Sequence, residues 1–243
     1  MKKDATFKWD DKDFVNFYTD SANLIVLERQ RSIRILIEIA AFHFPSLTGL
    51  HFLELGCGEG LITKLIHDKS PNNNFYLVDA SEEMLSRAKA NLSGSKSDIS
   101  FRHLTFEDYS VSQSEDGKYD MVFSANAIHH LDFTQKIALF TKIYKELKHG
   151  GLFLNIDVVR PSSAHSEEIQ FELWRNWMNE TLEKNGKGSD VGKYDDIPSL
   201  YKNNLEDRPS GLWDQLQSLS ECGFRDVDCF YKYGIFAVYG ATK

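Results

Sequence analysis

The sequence has few of the features that mark secreted, membrane-spanning or zinc-stabilised proteins. Its three cysteines, Cys57, Cys222 and Cys229, are odd in number and lack CxxC spacing, which argues against a disulfide framework and a zinc site. No run approaches the roughly 18 to 20 apolar residues of a membrane span, and residues 1–13 lack the apolar stretch of a signal peptide. We therefore expect a cytoplasmic protein with no membrane contact and no bound metal.

Positive charge is also scarce in this chain. It carries 28 Lys and Arg residues against 36 Asp and Glu residues, for a formal net charge of -8. Such a surface repels the phosphate backbone of nucleic acids, so an extended nucleic-acid interface is not expected. With 243 residues, of which 42% are apolar, the chain suits one large α/β domain, as a monomer or a homodimer.

The chain does contain a repeated alternation of short apolar runs and helical segments. This alternation predicts a parallel sheet with helices on both faces. Two β-rich runs separated at Gly234 then predict an antiparallel hairpin, so that one strand runs against the sheet. The predicted strands are 51–55, 75–78, 99–104, 119–124, 152–158, 227–233 and 235–241. The predicted helices are 60–67, 82–91, 134–147, 167–183 and 212–222, with two further pieces within 14–44.

The most informative segment is the strand His51–Leu55 with the glycine-rich turn that follows it, residues 56–60, which opens a helix. Gly56 and Gly58 permit a sharp turn and, without Cβ atoms, allow a ligand to approach closely. In an open parallel sheet this first turn lies at the carboxyl ends of the strands, where ligands bind.

The same turn argues against a dinucleotide dehydrogenase. That fingerprint needs a third glycine at position 61, where Leu61 stands. Two acids, Glu54 and Glu59, would also repel a pyrophosphate. A sulfonium ligand with an α-amino group would tolerate both carboxylates.

Asp79 ends the second predicted strand, 23 residues after Gly56 (79 minus 56). An acid at this place can accept hydrogen bonds from both hydroxyls of a ribose. The alternative is an N-cap of the following helix, a role that Ser81 and nearby acids also suit. Met84 on that helix could pack against the face of an adenine ring, although an isolated Met more often packs in a core.

These residues resemble known motifs. Leu53–Gly60 resembles motif I of the class I S-adenosylmethionine-dependent methyltransferases, and Asp79 matches their ribose-binding acid. Ser124–Leu131 resembles the segment after the fourth strand in small-molecule members, and His149–Phe153 resembles their turn into the fifth strand. The terminal helix and hairpin resemble the family's reversed seventh strand. The resemblance spans about residues 50 to 243, apart from the insertion described below.

The resemblance implies a Rossmann-like α/β fold: a seven-stranded, mostly parallel sheet with a reversed C-terminal strand, helices on both faces and a helical insertion after strand 5. It divides one methyltransferase domain, 1–243, into four parts. These are an N-terminal helical cap (1–49), a cofactor-binding core (50–160), an insertion that covers the acceptor (161–209), and the C-terminal helix and hairpin (210–243).

The implied cofactor is S-adenosyl-L-methionine, with S-adenosyl-L-homocysteine as product. Glu54 and the Gly56–Gly58 backbone would hold the methionine moiety and Asp79 the ribose, while Tyr18 could close over the site or could equally be a surface aromatic. The residues predicted to bind the cofactor are Tyr18, Glu54, Gly56, Cys57, Gly58, Asp79, Ala80, Met84, Thr105, Phe106, Ala125 and Asn126.

The contact to the adenine amino group is left open by the sequence. Many relatives carry an Asp where Thr105 stands, and Thr105 can accept a hydrogen bond but brings no charge. The backbone N–H of Phe106 could instead contact the ring, and Glu107 or Asp108 could compensate.

His129 and His130 lie at the end of the fourth strand, where the resemblance places the acceptor. A hydroxyl or protonated amine must lose a proton before it is methylated, and imidazole suits that task near neutral pH. Adjacent residues of an extended segment point in opposite directions, so we expect at most one histidine to face the acceptor, with His130 favoured. The alternative is that both histidines are structural.

The insertion carries an aromatic stripe at helical spacing. Phe171, Trp174, Trp177 and Met178 could line a pocket for a flat or apolar acceptor, or could dock the insertion on the core. The residues predicted to bind the acceptor are Trp174, Trp177, Tyr201 and Arg208. Arg208 could pair with an acceptor carboxylate or with a surface acid.

The predicted function is methyl transfer to a small-molecule acceptor, on oxygen or nitrogen. Two alternatives stay open: a carboxy-S-adenosylmethionine synthase-like enzyme of tRNA modification, and a cofactor-binding subunit without turnover. A DNA amino-methyltransferase is disfavoured, since Ser124–Ala127 lacks the proline pair of that class.

Overall fold

The computed structural model describes Trp9, residues 11–95 and residues 97–243, so part of the predicted N-terminal cap, 1–8 and Asp10, lies outside the described residues. The strands are β1 His51–Leu55, β2 Asn74–Asp79, β3 Asp98–His103, β4 Tyr119–Ala125, β5 Leu147–Val158, β6 Arg225–Tyr233 and β7 Phe236–Thr242. They form one sheet in the order β3-β2-β1-β4-β5-β7-β6.

The pairing of the strands confirms the mostly parallel sheet with a reversed C-terminal strand. β1 to β5 pair in parallel, and β7 runs antiparallel to both of its neighbours, β5 and β6. Strand order reverses between β1 and β4, so their carboxyl ends open a crevice at that point. The glycine-rich turn after β1 therefore lies at the place where such sheets bind ligands.

The helices fill the predicted intervals and add several short ones. Their bounds are α1 Lys12–Ile25, α2 Arg29–His43, α3 Leu61–Lys69, α4 Glu82–Asn91, α5 Phe106–Val111, α6 Phe133–Glu146, α7 Ala164–Lys184, α8 Ile197–Lys202 and α9 Leu212–Glu221. Local sequence signals determine where several helices begin. Asp132 and Gln135 form a capping box at the start of α6, and Ser81 caps the start of α4. Among the described residues, no helix has the length and apolarity required to cross a bilayer.

Both faces of the sheet are covered by apolar side chains. One cluster joins the sheet to α6 and α9, and a second joins it to α2, α3 and α4. A third, smaller cluster joins the end of α1 to α7 and β7, and it contains Phe171, Trp174 and Met178. The insertion is thus held to the molecule by its own apolar contacts at the carboxyl end of the sheet.

One local prediction was wrong. The two histidines do not lie on an extended segment: residues Ile128–His130 form a 3-10 turn directly after β4. Because successive residues of such a turn are about 120° apart rather than 180°, both imidazoles can face one side. Their ring centroids lie 4.2 Å apart.

Candidate functional site

Two positions of the turn after β1 require glycine, for different reasons. Gly56 has φ +69°, and a Cβ there would lie 2.4 Å from the Cβ of Ala127, so the fold itself excludes a side chain. Gly58 has φ +53° and open space where a Cβ would be, on the wall of the cleft. The first glycine permits the close approach of the segment after β4, and the second leaves room for a ligand.

Asp79 lies at the carboxyl end of β2 and holds that turn in place. One carboxylate oxygen accepts from the Gly58 N–H at 2.7 Å and the other from the Ser81 N–H at 2.9 Å. The helix cap is Ser81, whose hydroxyl oxygen accepts from Met84 N at 3.2 Å, so the N-cap alternative for Asp79 is not the one adopted. Burial raises the pKa of Asp79 despite these hydrogen bonds.

A cleft extends from Asp79 along the ends of β2 to β4. Ala80, Met84, Leu104, Thr105 and Phe106 line it beside Asp79. The hydroxyl oxygen of Thr105 caps α5 by accepting from Asp108 N at 3.1 Å, which occupies part of its accepting capacity. The N–H of Phe106, in the first turn of α5, has no partner within the helix and is available to an adenine ring.

A second recess continues the cleft on the other side of the glycine turn. It is lined by Tyr18, Arg29, Glu54, Cys57 and Ala125, among others. Burial raises the pKa of Glu54 to about 8, although the Thr63 hydroxyl donates to its carboxylate at 2.6 Å. The recess therefore offers a cation for a carboxylate and acids for an ammonium, which is the charge pattern of an amino acid.

Arg29 in this recess was missed by sequence reasoning. It lies at the first position of α2, after Glu28, which has a left-handed backbone conformation at φ 53°. No local motif marks it, because the recess forms only when α2 packs against the sheet. A basic residue opening a helix just before motif I is the weak signal that could have identified it.

A third space, the acceptor cavity, is a cavity of about 100 Å³ between α1, α7, α8 and the end of β4. Its wall is mainly aromatic and aliphatic. The lining residues are Trp9, Phe14, Phe17, Tyr18, Ile25, Val26, Asn126, His129, His130, Val158, Trp174, Ile197, Tyr201, Asp207 and Phe236.

Tyr18 and Asn126 line all three spaces, so the spaces meet at these two side chains. Asn126 has a left-handed backbone at φ 52°, which is unusual outside glycine, and its amide oxygen is buried with no hydrogen-bond partner among the described residues. Burial raises the pKa of Tyr18, so its hydroxyl stays neutral. A strained residue with an unpaired oxygen at such a junction indicates a ligand contact.

His129 is buried between two carboxylates. Its Nδ1 lies 2.6 Å from Asp157 Oδ1, and its Nε2 lies 3.4 Å from Asp207 Oδ1. Burial lowers the pKa of His129, but the charge of Asp157 and the hydrogen bonds to both acids outweigh it and raise the pKa to about 9. His129 is therefore an imidazolium at neutral pH and cannot accept a further proton there.

His130 is the more accessible of the pair. It lines both the cleft and the acceptor cavity, and its Nδ1 lies 3.2 Å from the same Asp207 oxygen. The two imidazoles hold the pKa of Asp207 well below its ordinary value despite burial, so that acid remains a carboxylate. Asp207 comes from the insertion, 77 residues after His130 (207 minus 130), and sequence reasoning did not pair them.

The residues predicted to bind the acceptor divide between locations. Trp174 and Tyr201 line the acceptor cavity. Trp177 does not lie there: its indole N–H donates to Glu28 at 3.2 Å, which favours the docking interpretation for that side chain. Arg208 also lies elsewhere, exposed at the edge of the cleft beside Glu206.

Known proteins with similar sequences are methyltransferases and a related synthase. Residues 52–151 match the family model of a methyltransferase domain. Over half of its length (51%), the chain is 34% identical to a malonyl-[acyl-carrier protein] O-methyltransferase of Ilyobacter polytropus, covering 42% of that protein. Across 96% of its length it is 19% identical to a carboxy-S-adenosyl-L-methionine synthase of Nautilia profundicola, covering 93% of it.

The fold has been observed in solved structures. A structure from Methanococcus maripaludis, described as a putative S-adenosyl-L-methionine-dependent methyltransferase, has 17% sequence identity and a TM-score of 0.61, with 100% of this chain and 97% of that chain covered. The sheet order, the glycine turn with Asp79 and the family model matched by residues 52–151 all support the resemblance to the class I S-adenosylmethionine-dependent methyltransferases. In two malonyl-[acyl-carrier protein] O-methyltransferases of Ilyobacter polytropus, the matched region spans less than half of the relative's length, 42% and 35%.

Proposed function

We propose that this protein transfers the methyl group of S-adenosylmethionine to oxygen or nitrogen of a small molecule bound in the acceptor cavity. The observation that carries the proposal is the junction at Tyr18 and Asn126, where a cleft suited to a nucleoside, a recess suited to an amino acid and an apolar cavity meet. A sulfonium joins a nucleoside to an amino acid and carries the transferable carbon at that point.

The cofactor fits the residues present. Asp79 would hold the ribose, the Phe106 N–H the adenine, and Glu54 and Arg29 the methionine end, while the unpaired Asn126 oxygen faces the junction. Bound there, the cofactor supplies an activated methyl carbon. The protein's own contribution is alignment of the acceptor and exclusion of water, since methyl transfer is an in-line displacement.

His130 is the residue we propose as proton acceptor. It borders both the cofactor cleft and the acceptor cavity, and Asp207 at 3.2 Å would stabilise the imidazolium that forms. His129 already carries its proton, so its role is to orient Asp207 rather than to act as a base. No metal is required in this mechanism.

A second candidate function has specific support. A relative aligned along nearly the whole chain is a carboxy-S-adenosyl-L-methionine synthase, and the Arg208 guanidinium belongs to a residue that lines the cofactor cleft. A carboxylated sulfonium would need such a cation close to the sulfur. The cofactor that the protein carries distinguishes the two candidates.

The experiment is mass spectrometry of the small molecule released from the purified, denatured protein, paired with calorimetry against S-adenosylmethionine, S-adenosylhomocysteine, carboxy-S-adenosylmethionine and NAD. Micromolar binding of the first two supports the methyltransferase. Preference for the carboxy form supports the second candidate, and binding of NAD alone overturns both. Transfer of a labelled methyl group to an acceptor library distinguishes an enzyme from a binding subunit.

A further inference from the structure

The acceptor cavity has a chemical character that narrows the proposed function. Resting on that function, we propose that the acceptor is an amine attached to an apolar body, bound with its nitrogen between Asp207 and Asn126 and its body against the aromatic walls. Three features of the cavity carry this inference: its walls, its charges and its unpaired oxygens.

The walls are two aromatic groups that come from opposite sides of the cavity. On the N-terminal side, the Trp9 ring packs in T-shaped geometry against Phe14 and Tyr18, with ring centroids 5.1 Å and 4.9 Å apart. On the insertion side, Trp174 packs edge-on against Tyr201 at 5.9 Å and Phe236 at 5.2 Å. Trp9, Tyr18, Trp174 and Tyr201 all line the cavity, and aromatic rings attract ammonium groups as well as apolar bodies.

The charges of the cavity disfavour an anionic acceptor. Among the described residues, its lining contains no Lys or Arg, and the carboxylate that lines it is Asp207. His129 lines it as well but is already paired with Asp157 and Asp207. Lys136 is buried, and its ammonium donates to the carbonyls of Leu131 and Arg208. A carboxylate or phosphate in the cavity would therefore meet Asp207 without a free cation.

Two side chains of the lining carry polar atoms without a partner. The amide oxygen of Asn126 and the hydroxyl of Tyr201 are both buried without a hydrogen-bond partner among the described residues. The Tyr201 hydroxyl can donate as well as accept. An amide oxygen can only accept, and the Asp207 carboxylate also only accepts, with His129, His130 and Asn204 as its present partners. An alcohol offers one donor, whereas an amine or ammonium offers two or three, so nitrogen satisfies more of these groups.

The reaction balances for an amine. The nitrogen lone pair forms a bond to the methyl carbon while the carbon–sulfur bond breaks, and its electron pair stays on sulfur, which becomes a neutral thioether. An acceptor that enters as an ammonium first loses one N–H proton. His130 is placed to take that proton and release it to water.

The test compares three probes with one phenyl body and different head groups: 2-phenylethylamine, 2-phenylethanol and 3-phenylpropanoate. Binding is measured by calorimetry on the full chain saturated with S-adenosylhomocysteine, whose own binding is measured first. We expect the amine to bind at least about tenfold more tightly than the alcohol and the carboxylate to bind weakest, as charge-assisted contacts predict.

Two variants and a control sharpen the test. Asp207→Asn should reduce the preference for amine over alcohol, and Trp174→Leu should weaken all three probes. Trp213→Leu, at a side chain 78% exposed and away from the cavity, should change none of them. Unfolding temperatures of each variant separate lost folding from lost binding.

Each outcome has a distinct meaning. Equal or tighter binding of the alcohol overturns the amine assignment, and so does a preference for the carboxylate. Absence of binding by all three probes to a protein that binds S-adenosylhomocysteine also overturns it, while the proposed function stands. Failure to bind S-adenosylhomocysteine overturns the proposed function itself.

Discussion

The cofactor cleft and the acceptor cavity differ in how the chain builds them. The cleft is made by turns at the carboxyl ends of neighbouring strands, and its main contacts, such as Gly58 to Asp79, join segments 21 residues apart. The cavity is made by α1, α7, α8 and residues 201–208, brought together over more than 100 residues. The cleft is more polar than the cavity and depends on the backbone, whereas the cavity is aromatic and depends on side chains, so a local motif can encode the first but not the second.

The largest expected effect tests whether a residue of the cavity can change turnover without changing the affinity of the cleft for the cofactor product. His130→Asn should lower turnover of an identified acceptor by about 10²- to 10⁴-fold, the range of general base catalysis, because no other imidazole borders both spaces in the described structure. The affinity for S-adenosylhomocysteine should stay within about twofold, which calorimetry measures. The exposed His165→Asn serves as control. Turnover like that of the unmodified protein would remove His130 from the mechanism.

The next effect should fall on the cleft alone. Asp79→Ala should weaken binding of S-adenosylmethionine by about 1 to 3 kcal/mol, because it removes a charge-assisted hydrogen bond and the anchor of the Gly58 turn. Calorimetry gives the change, with Asp98→Ala, an exposed acid that opens β3, as the matched control. An unchanged dissociation constant would sink the assignment of Asp79.

A third prediction concerns the pH dependence of stability near the cavity. The pKa of His129 is about 9 in the folded protein and about 6.5 in an unfolded chain, so its stabilising contribution is complete below pH 6.5 and disappears as the pH rises to 9. Urea unfolding should show the protein losing on the order of 2 kcal/mol more between pH 6 and 9.5 than the variant His129→Gln. The same pH slope in both proteins would contradict the ion pairs with Asp157 and Asp207.

The smallest expected effect is the release of a proton when a ligand binds in the recess that contains Glu54. Because burial raises the pKa of Glu54 to about 8, this acid is mostly protonated at pH 7 before a ligand arrives. A bound ammonium or sulfonium favours its charged form, so binding should release up to about one proton. Calorimetry in two buffers of different ionisation enthalpy measures the release, and Glu54→Gln should abolish it. Equal proton release by both proteins would show that Glu54 does not respond to the ligand.

Sequence reasoning succeeded where the signal was local. Apolar runs predicted all seven strands, six of them within two residues at each end, while β5 begins five residues earlier than predicted. The role of the glycine turn and Asp79 in cofactor binding stays a prediction. It failed for the orientation of His129 and His130, because a 3-10 turn and an extended segment look alike over three residues. It also missed Arg29 and the pairing of Asp207 with the histidines, because such contacts exist only after distant segments have packed.

The position of Asp207 ties two properties of this protein together. The loop that carries it is held at Arg208, whose N–H donates to the carbonyl of His129 at 2.8 Å and whose carbonyl accepts from Lys136 at 2.7 Å. The same insertion supplies Trp174 and Tyr201 to the cavity wall. Exchanging this insertion to change the methyl acceptor would therefore also remove Asp207, the acid beside the proposed base His130. Variants with new acceptors should arise from substitutions inside the existing insertion rather than from insertions transplanted whole.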